Sequence, residues 1–224
     1  HRLASDWRFR KSLALLIPPH QEIEEFLTRL RKEFLVHIKT NSSIPPQLKP
    51  LLEALATQCF LNEYVYWQSE SEQQWINDLI SDTKNNTEVI NEYLPIIGCY
   101  IPIHVITNQA EISRYPINSE ESKAFIDTQY NEFETEQGIK SRLNQNKEIT
   151  DEVSLAVQKM YEENPYPRYK YADHTHPLFA KTIAEFISLE TTIANPSFFN
   201  ELSTPNSSPK ILIAGCGTGN QIIN

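Results

Sequence analysis

The first third of the chain alternates apolar and polar positions with the period of an α-helix. Three apolar stripes recur at intervals of three and four residues, and each stripe predicts one helix. The stripes consist of Ile23, Phe26, Leu27, Leu30, Phe34, Leu35 and Ile38; of Leu48, Leu51, Leu52, Leu55 and Cys59; and of Trp75, Ile76, Leu79 and Ile80. Ser69 and Glu72 have the form of a capping box in front of the third helix. Because each helix is amphipathic, we expect the three to bury their stripes against one another.

The middle of the chain has a less regular pattern. Residues 93–106 are apolar and rich in β-branched side chains, but Pro95 and Pro102 are incompatible with a central strand. This segment is therefore predicted to be a short buried helix with a proline-induced break. Residues 119–143 are polar and acidic with sparse apolar positions, which predicts a solvated helix or pair of helices. Trp67 and Trp75 are expected in the core between helices, with a surface for a protein partner as the alternative.

The character of the sequence changes near Thr150. Val153, Val157, Met160 and Tyr161 form one more helical stripe, which the prolines of residues 164–168 interrupt. A further helix is predicted over 177–189 and a surface loop over 195–209. Residues 210–214 form an apolar run typical of a strand buried on both faces. These changes divide the chain into a helical domain, 1–148, and the start of a second domain, 149–224.

Composition and charge restrict the possible partners. The 224 residues are 40% hydrophobic and 22% charged, as in a globular protein, and the net charge is −9. A negative protein has no general attraction for phosphate backbones, so no nucleic-acid partner is expected. The longest apolar run, 96–106, is about half of the ~20 residues that span a bilayer, so no membrane partner is expected either. Three scattered cysteines, Cys59, Cys99 and Cys216, are typical of reduced thiols and favour a cytoplasmic protein.

The strongest chemical signal is a glycine cluster directly after the predicted strand. Residues 211–219 read Ile-Leu-Ile-Ala-Gly-Cys-Gly-Thr-Gly, and three of the five glycines of the chain lie in the last five positions. Residues without Cβ allow a tight turn whose backbone approaches a ligand closely, and the following helix would direct its amide dipoles at the same place. A dinucleotide fingerprint would need glycine where Asn220 stands, and no lysine follows as a P-loop would require. A turn that binds nothing is the alternative.

The loop of Gly215, Cys216, Gly217, Thr218 and Gly219 resembles motif I of class I S-adenosylmethionine-dependent methyltransferases. Residues 161–169, Tyr-Glu-Glu-Asn-Pro-Tyr-Pro-Arg-Tyr, resemble a segment of a bacterial group of these enzymes with a helical, sometimes tetratricopeptide-like, N-terminal region. Residues 58–65 resemble part of that region. The resemblance implies a mostly α N-terminal domain, followed by the start of an α/β Rossmann-like methyltransferase domain. It also implies S-adenosylmethionine as cofactor and a small molecule or protein as methyl acceptor.

The same resemblance suggests which residues bind the cofactor and where the sequence departs from the family. The glycine loop would lie beneath the methionine and ribose portions, and Tyr161, Tyr166 and Arg168 would line the cofactor or acceptor pocket. A rigid connector is the alternative for these three residues. Ile213 stands where the family often has an acidic residue. The ribose-binding acid is expected beyond Asn224, so the domain is expected to be incomplete here and these 224 residues inactive by themselves.

Other sites and functions are less favoured by the sequence. His174 and His176 lack neighbouring ligands and are expected in a surface loop rather than at a metal. His104, in an apolar run, is expected to be a hydrogen-bonded core histidine. The alternative functions are a non-catalytic helical module for protein interaction, attached to a degenerate nucleotide-binding fold, and a dehydrogenase with an irregular loop.

Overall fold

The computed structural model describes residues 2–17, 20–85, 89–142 and 151–163, and no strand occurs in these ranges. The α-helices are α1 (Arg2–Ser5), α2 (Trp7–Leu15), α3 (Gln21–Asn41), α4 (Lys49–Leu61), α5 (Glu70–Asn85), α6 (Ile90–Ile97), α7 (Gln109–Ile112), α8 (Glu120–Ile126), α9 (Glu132–Lys140) and α10 (Glu152–Glu163). Turns of 3-10 helix occur at Pro46–Leu48 and Ile103–Val105, and a π-turn at Asp127–Asn131. The predicted helical character is confirmed. The predicted strand, the Rossmann-like start and the boundary near residue 148 lie outside the described residues.

Helix α4 forms the centre of the core. Every residue from Leu51 to Leu61 is buried, and α2, α3, α6 and α8 pack around it. The prediction that this helix is amphipathic is therefore wrong. Its polar side chains are buried because distant parts of the chain bind them. Glu53, for example, accepts a hydrogen bond from the Tyr115 hydroxyl at 2.6 Å.

Helix α5 and the part of α3 from Leu27 onward confirm the pattern from which they were predicted, whereas Ile23 and Phe26 of the predicted α3 stripe are exposed. Leu27, Phe34, Leu35 and Ile38 are buried along one face of α3, whereas the rest of that helix is mostly polar and exposed. The capping box is present at the start of α5. The Ser69 backbone N–H donates to a carboxylate oxygen of Glu72 at 2.9 Å, and the Glu72 N–H donates to the Ser69 hydroxyl at 3.3 Å.

The apolar segment 93–106 contains a short buried helix followed by a break, as predicted, but the helix continues through Pro95. Pro95 lies inside α6 and has no N–H to donate to the carbonyl of Asn91, one turn earlier. The Lys49 ammonium donates a hydrogen bond to the Asn91 carbonyl at 3.1 Å. This carbonyl would otherwise lack a partner because of the proline. The helix ends at Ile97, and Pro102 precedes the following 3-10 turn.

The segment 119–143 divides into a buried half and a solvated half. Phe125, Ile126 and Tyr130 are buried, and α8 packs against α4. The prediction of a solvated helix is wrong for this first half, because its few apolar residues fall on one face and its polar Gln129 is engaged in the core. The Gln129 amide donates to the carbonyls of Ala56 (2.7 Å) and Gly98 (2.9 Å). Helix α9 has no buried residue and agrees with the prediction.

Helix α10 confirms the helix predicted after Thr150. The apolar side chains of its stripe that the structure describes, Val153, Val157 and Met160, are exposed. Tyr161 lies in the last turns of this helix.

Candidate functional site

The residues predicted to bind S-adenosylmethionine fall almost entirely outside the described part of the chain. Gly215, Cys216, Gly217, Thr218, Gly219, Tyr166 and Arg168 are not described, and only the helical backbone of Tyr161 is. The cofactor site therefore stays a prediction. Two other features of the described residues are candidates for a functional site. One is a buried arginine, and the other is a surface groove next to it.

Arg31 is a buried cation on the apolar face of α3. Its side chain is 1% exposed, and its guanidinium donates to the backbone carbonyls of Trp67 (2.8 Å), Tyr66 (3.3 Å) and Cys99 (3.4 Å). No carboxylate of the described residues forms an ion pair with it. The ring of Tyr100, with its centroid 4.1 Å from the guanidinium carbon, covers one face of the charge. Arg31 thus holds the backbone of residues 66–67 against the core.

Arg31 was not singled out from the sequence, although a signal was present. The residue lies four positions after Leu27 and three before Phe34, on the same stripe as both. A charged residue in the middle of an apolar stripe needs buried partners. Those partners are carbonyls of distant residues, and the helical pattern does not identify them.

Glu72 is a carboxylate that interacts electrostatically with Arg31. It is buried, and it accepts hydrogen bonds from the Tyr100 hydroxyl (3.0 Å) and the Ser69 hydroxyl (2.8 Å). Burial by itself would raise the pKa of Glu72. The hydrogen bonds from Ser69 and Tyr100 and the charge of Arg31 outweigh burial and lower that pKa. Tyr100 therefore links the two charges through its hydroxyl and its ring.

The loop between α4 and α5 has an unusual backbone. Glu63 (φ 50°) and Tyr64 (φ 55°) both adopt the left-handed conformation, which costs a residue with Cβ about 1–2 kcal/mol. The Tyr64 N–H donates to the carbonyl of Cys59 at 2.9 Å and closes the end of α4. Side chains then alternate: Val65 is exposed, Tyr66 is buried, and Trp67 is exposed.

Trp67 is 69% exposed, so its prediction as a core residue is wrong. Arg31 holds the carbonyls of Tyr66 and Trp67, which belong to the two peptide groups before and after the Trp67 Cα, with Tyr66 facing inward. The next side chain in an extended segment faces the opposite way. Trp75, by contrast, packs half-buried against the core, as predicted.

Val65 and Trp67 line a groove whose other wall is the N-terminal half of α3. The groove has a volume of about 430 Å³. Its lining consists of Gln21, Glu24, Glu25, Thr28, Arg29, Lys32, Val65, Tyr66, Trp67 and Glu72. A second groove, of about 670 Å³, lies where α1, α3 and the start of α4 meet, and includes Leu3, Phe34 and Leu51. The first groove is the stronger candidate for a binding site, because it combines an exposed tryptophan with carboxylates.

A second buried network surrounds Glu53 in the core. Its two oxygens accept from the Tyr115 hydroxyl (2.6 Å) and the Ser119 hydroxyl (3.5 Å). Burial raises the pKa of Glu53, although these hydrogen bonds and Lys49 act in the opposite direction. Burial is also the main reason that the pKa of Tyr115 is raised. Neither of the two grooves described above includes Glu53, Tyr115 or Ser119, and the hydrogen bonds join α4 to the segment before α8, so we interpret this network as structural.

The remaining expectations from the sequence concern thiols, histidine, metals and membranes. Cys59 and Cys99 are free and buried, and burial raises the pKa of Cys99. A ring nitrogen of His104 lies 3.0 Å from the carbonyl of Gln129, and the ring stacks on Phe133, as expected for a packed histidine. The described ranges contain no cluster of three or more metal-ligating side chains. Among the same residues, no helix has the length and apolar character that crossing a bilayer requires.

Comparison with known proteins gives no match to a protein-family model, to a curated protein or to a solved structure. Function must therefore be inferred from the chain itself.

Proposed function

We propose that this chain belongs to an S-adenosylmethionine-dependent methyltransferase and that Gly215, Cys216, Gly217, Thr218 and Gly219 form its cofactor loop. The observation that supports the proposal is the apolar run 211–214 followed directly by G-x-G-x-G. Glycines at alternate positions leave backbone N–H groups accessible, and such donors fit a carboxylate or ribose hydroxyl. Ile213 offers no partner to an ammonium group, so that part of the cofactor would need another residue.

When bound, S-adenosylmethionine supplies an electrophilic methyl group on a sulfonium. The protein's contribution to such a transfer is mainly to align the acceptor with that methyl group and to exclude water. We assign Tyr161, Tyr166 and Arg168 to the walls of the cofactor or acceptor pocket. Pro165 and Pro167 fix the backbone on both sides of Tyr166, which would leave its ring little freedom to lose on binding. The proposed location is cytoplasmic, since Cys59 and Cys99 are free thiols.

Gly217→Val tests the cofactor loop in the protein produced from its complete reading frame. A branched side chain at this position would block the approach of the backbone to the ligand, so S-adenosylmethionine binding should weaken by a factor of about 100 or more. Isothermal titration calorimetry measures the affinity. Gly138→Val is the matched control, because a Cβ at Gly138 in α9 meets nothing within 4 Å. Equal affinities of the two variants would exclude the loop, and a wild-type protein that binds no cofactor would refute the proposed function.

Tyr166→Ala and Arg168→Ala test the pocket wall in the same protein. Each should weaken cofactor binding or turnover at least tenfold, about 1.4 kcal/mol, with little change in melting temperature. If the variants lose stability and keep normal turnover, the segment is a connector.

The second candidate function is a helical module for protein interaction, attached to a degenerate nucleotide-binding fold. The exposed Trp67 in the groove beside α3 favours it. The two functions are compatible within one protein.

A further inference from the structure

We infer that the groove between the N-terminal half of α3 and residues 63–68 is a docking site for a basic segment of a protein partner. In this arrangement a lysine or arginine side chain of the partner lies between the ring of Trp67 and the carboxylate of Glu24. The inference does not depend on methyl transfer, because it uses only residues of the helical unit.

The backbone that carries the tryptophan of this groove is held by the core. Arg31 donates to the carbonyls of Tyr66 and Trp67, and the left-handed turn at residues 63–64 sets the direction of the loop. On this backbone the Trp67 side chain is 69% exposed. Tryptophan is enriched among the residues that dominate binding energy at protein interfaces.

The charges of the groove favour a cation beside Trp67. Glu24 is half-buried, and its carboxylate makes no hydrogen bond or ion pair with another side chain of the described residues. Glu25 faces Arg29 at 3.7 Å, so these two charges largely cancel. Glu72 is already engaged by Ser69 and Tyr100. The unbalanced charge on this part of the lining is therefore the carboxylate of Glu24.

Lys32 carries the other charge of this lining that no salt bridge neutralises, and its position on α3 is eight residues, about 12 Å along the helix axis, from that of Glu24. The lining has three carboxylates, of Glu24, Glu25 and Glu72, and two cations, of Arg29 and Lys32. Its formal charge is therefore −1. A tryptophan face also attracts ammonium and guanidinium groups, which adds about 0.5–1 kcal/mol at an exposed site. Carboxylate and ring thus favour the same sign of ligand charge.

A basic partner fits better than a second copy of this chain. The net charge of −9 disfavours association between copies and favours a positive segment. The volume of about 430 Å³ is at the lower end of the ~300–1,000 Å³ of pockets that hold small ligands. The expected occupant is therefore a short peptide segment rather than a broad protein surface.

The test is a titration of the full chain with acetyl-Gly-Ala-Arg-Ala-Gly-amide, followed by NMR shifts of the tryptophan indole N–H groups. A matched peptide with glutamate in place of arginine, and free arginine, are the controls. We expect saturable shifts at the Trp67 indole with the arginine peptide, weaker binding as salt is raised, and at least tenfold weaker binding of either control. Trp67→Ala and Glu24→Gln should each weaken the binding of the arginine peptide at least fivefold. Lys32→Gln, a change of charge on the same face of α3, should not weaken it.

Several outcomes would overturn the inference. Equal binding of the arginine and glutamate peptides would remove the charge argument, and unchanged affinity in Trp67→Ala would remove the ring from the site. Tight binding of free arginine would identify a small-molecule site instead of a docking surface. A concentration-dependent dimer that Trp67→Ala dissociates, together with no peptide binding, would assign the groove to a second copy. Thermal melts establish that each variant is folded. All three mutated side chains line the groove, so we expect each variant to melt close to the wild-type temperature.

Discussion

Gly98 lies where the core has no room for a single additional methyl group. A Cβ at this position would come within 2.6 Å of Cε2 and 3.0 Å of Cζ of Phe125, and within 3.2 Å of Ile103 Cγ2. The Phe125 ring is fully buried and packs edge-to-face on Tyr115 with centroids 5.8 Å apart, so it cannot move aside. The backbone cannot retreat easily either, because the Gly98 carbonyl accepts the Gln129 amide at 2.9 Å.

Gly98→Ala is therefore expected to destabilise the protein. The backbone at Gly98 is right-handed helical (φ −61°), so alanine by itself would stabilise by about 0.5–1 kcal/mol. Overpacking of a well-packed core costs about 1–3 kcal/mol, and the contact at 2.6 Å places this site at the upper end of that range. We expect a net loss of about 2 kcal/mol in the free energy of unfolding. For a chain of 224 residues this corresponds to a decrease in Tm of roughly 4–8 °C.

Denaturant unfolding followed by circular dichroism measures this difference. Gly138→Ala is the matched control: it makes the same change on the exposed helix α9, where nothing lies within 4 Å, and should leave stability equal or slightly higher. Shortening the opposing ring in Gly98→Ala/Phe125→Leu should recover at least about 1 kcal/mol relative to the sum of the single changes. Equal stability of the two glycine variants, or an additive double variant, would refute the steric reasoning.

Four further predictions concern the buried charges and the helical unit. Arg31→Met should lower the free energy of unfolding by more than about 2 kcal/mol in denaturant titrations, because three backbone carbonyls lose their donor; Arg31→Lys should recover only part of the loss. The pKa of Glu72 is lowered from 4.5, so its contribution is present above pH 4.5 and disappears as pH falls further; Glu72→Gln should flatten the acid-induced loss of stability. The pKa of Glu53 is raised, so its contribution to the free energy of unfolding is complete below pH 4.5 and disappears as pH rises through the raised value. Glu53→Gln should therefore remove this gain of stability on acidification. Thermal melts at a series of pH values should distinguish the opposite pH dependences of Glu72 and Glu53. Residues 1–148 alone should give a helical spectrum and a cooperative melt, since the buried core residues around α4 all lie between Ala4 and Tyr130; a non-cooperative melt would contradict this.

The sequence by itself determined those elements whose cause is local. The apolar stripe of α3 and the capping box of Ser69 and Glu72 depend on residues within one or two helical turns. The glycine loop at 215–219 is also a local pattern, and the proposed methyltransferase function depends on that pattern alone. The spacing of side chains along the backbone is sufficient for such predictions.

Only the tertiary structure decided which polar residues are buried and which apolar residue is exposed. Glu53 lies inside the protein because Tyr115, 62 residues later, donates to it, and Arg31 is buried because the carbonyl of Trp67 lies 36 residues away in sequence. The same contact turns Trp67 outward, against its apolar character. A helical pattern specifies neighbours three and four residues apart and contains no information on these distant partners. The free energy of burying a polar group depends on whether such a partner is present, so the groove beside α3 could be found only in the folded chain.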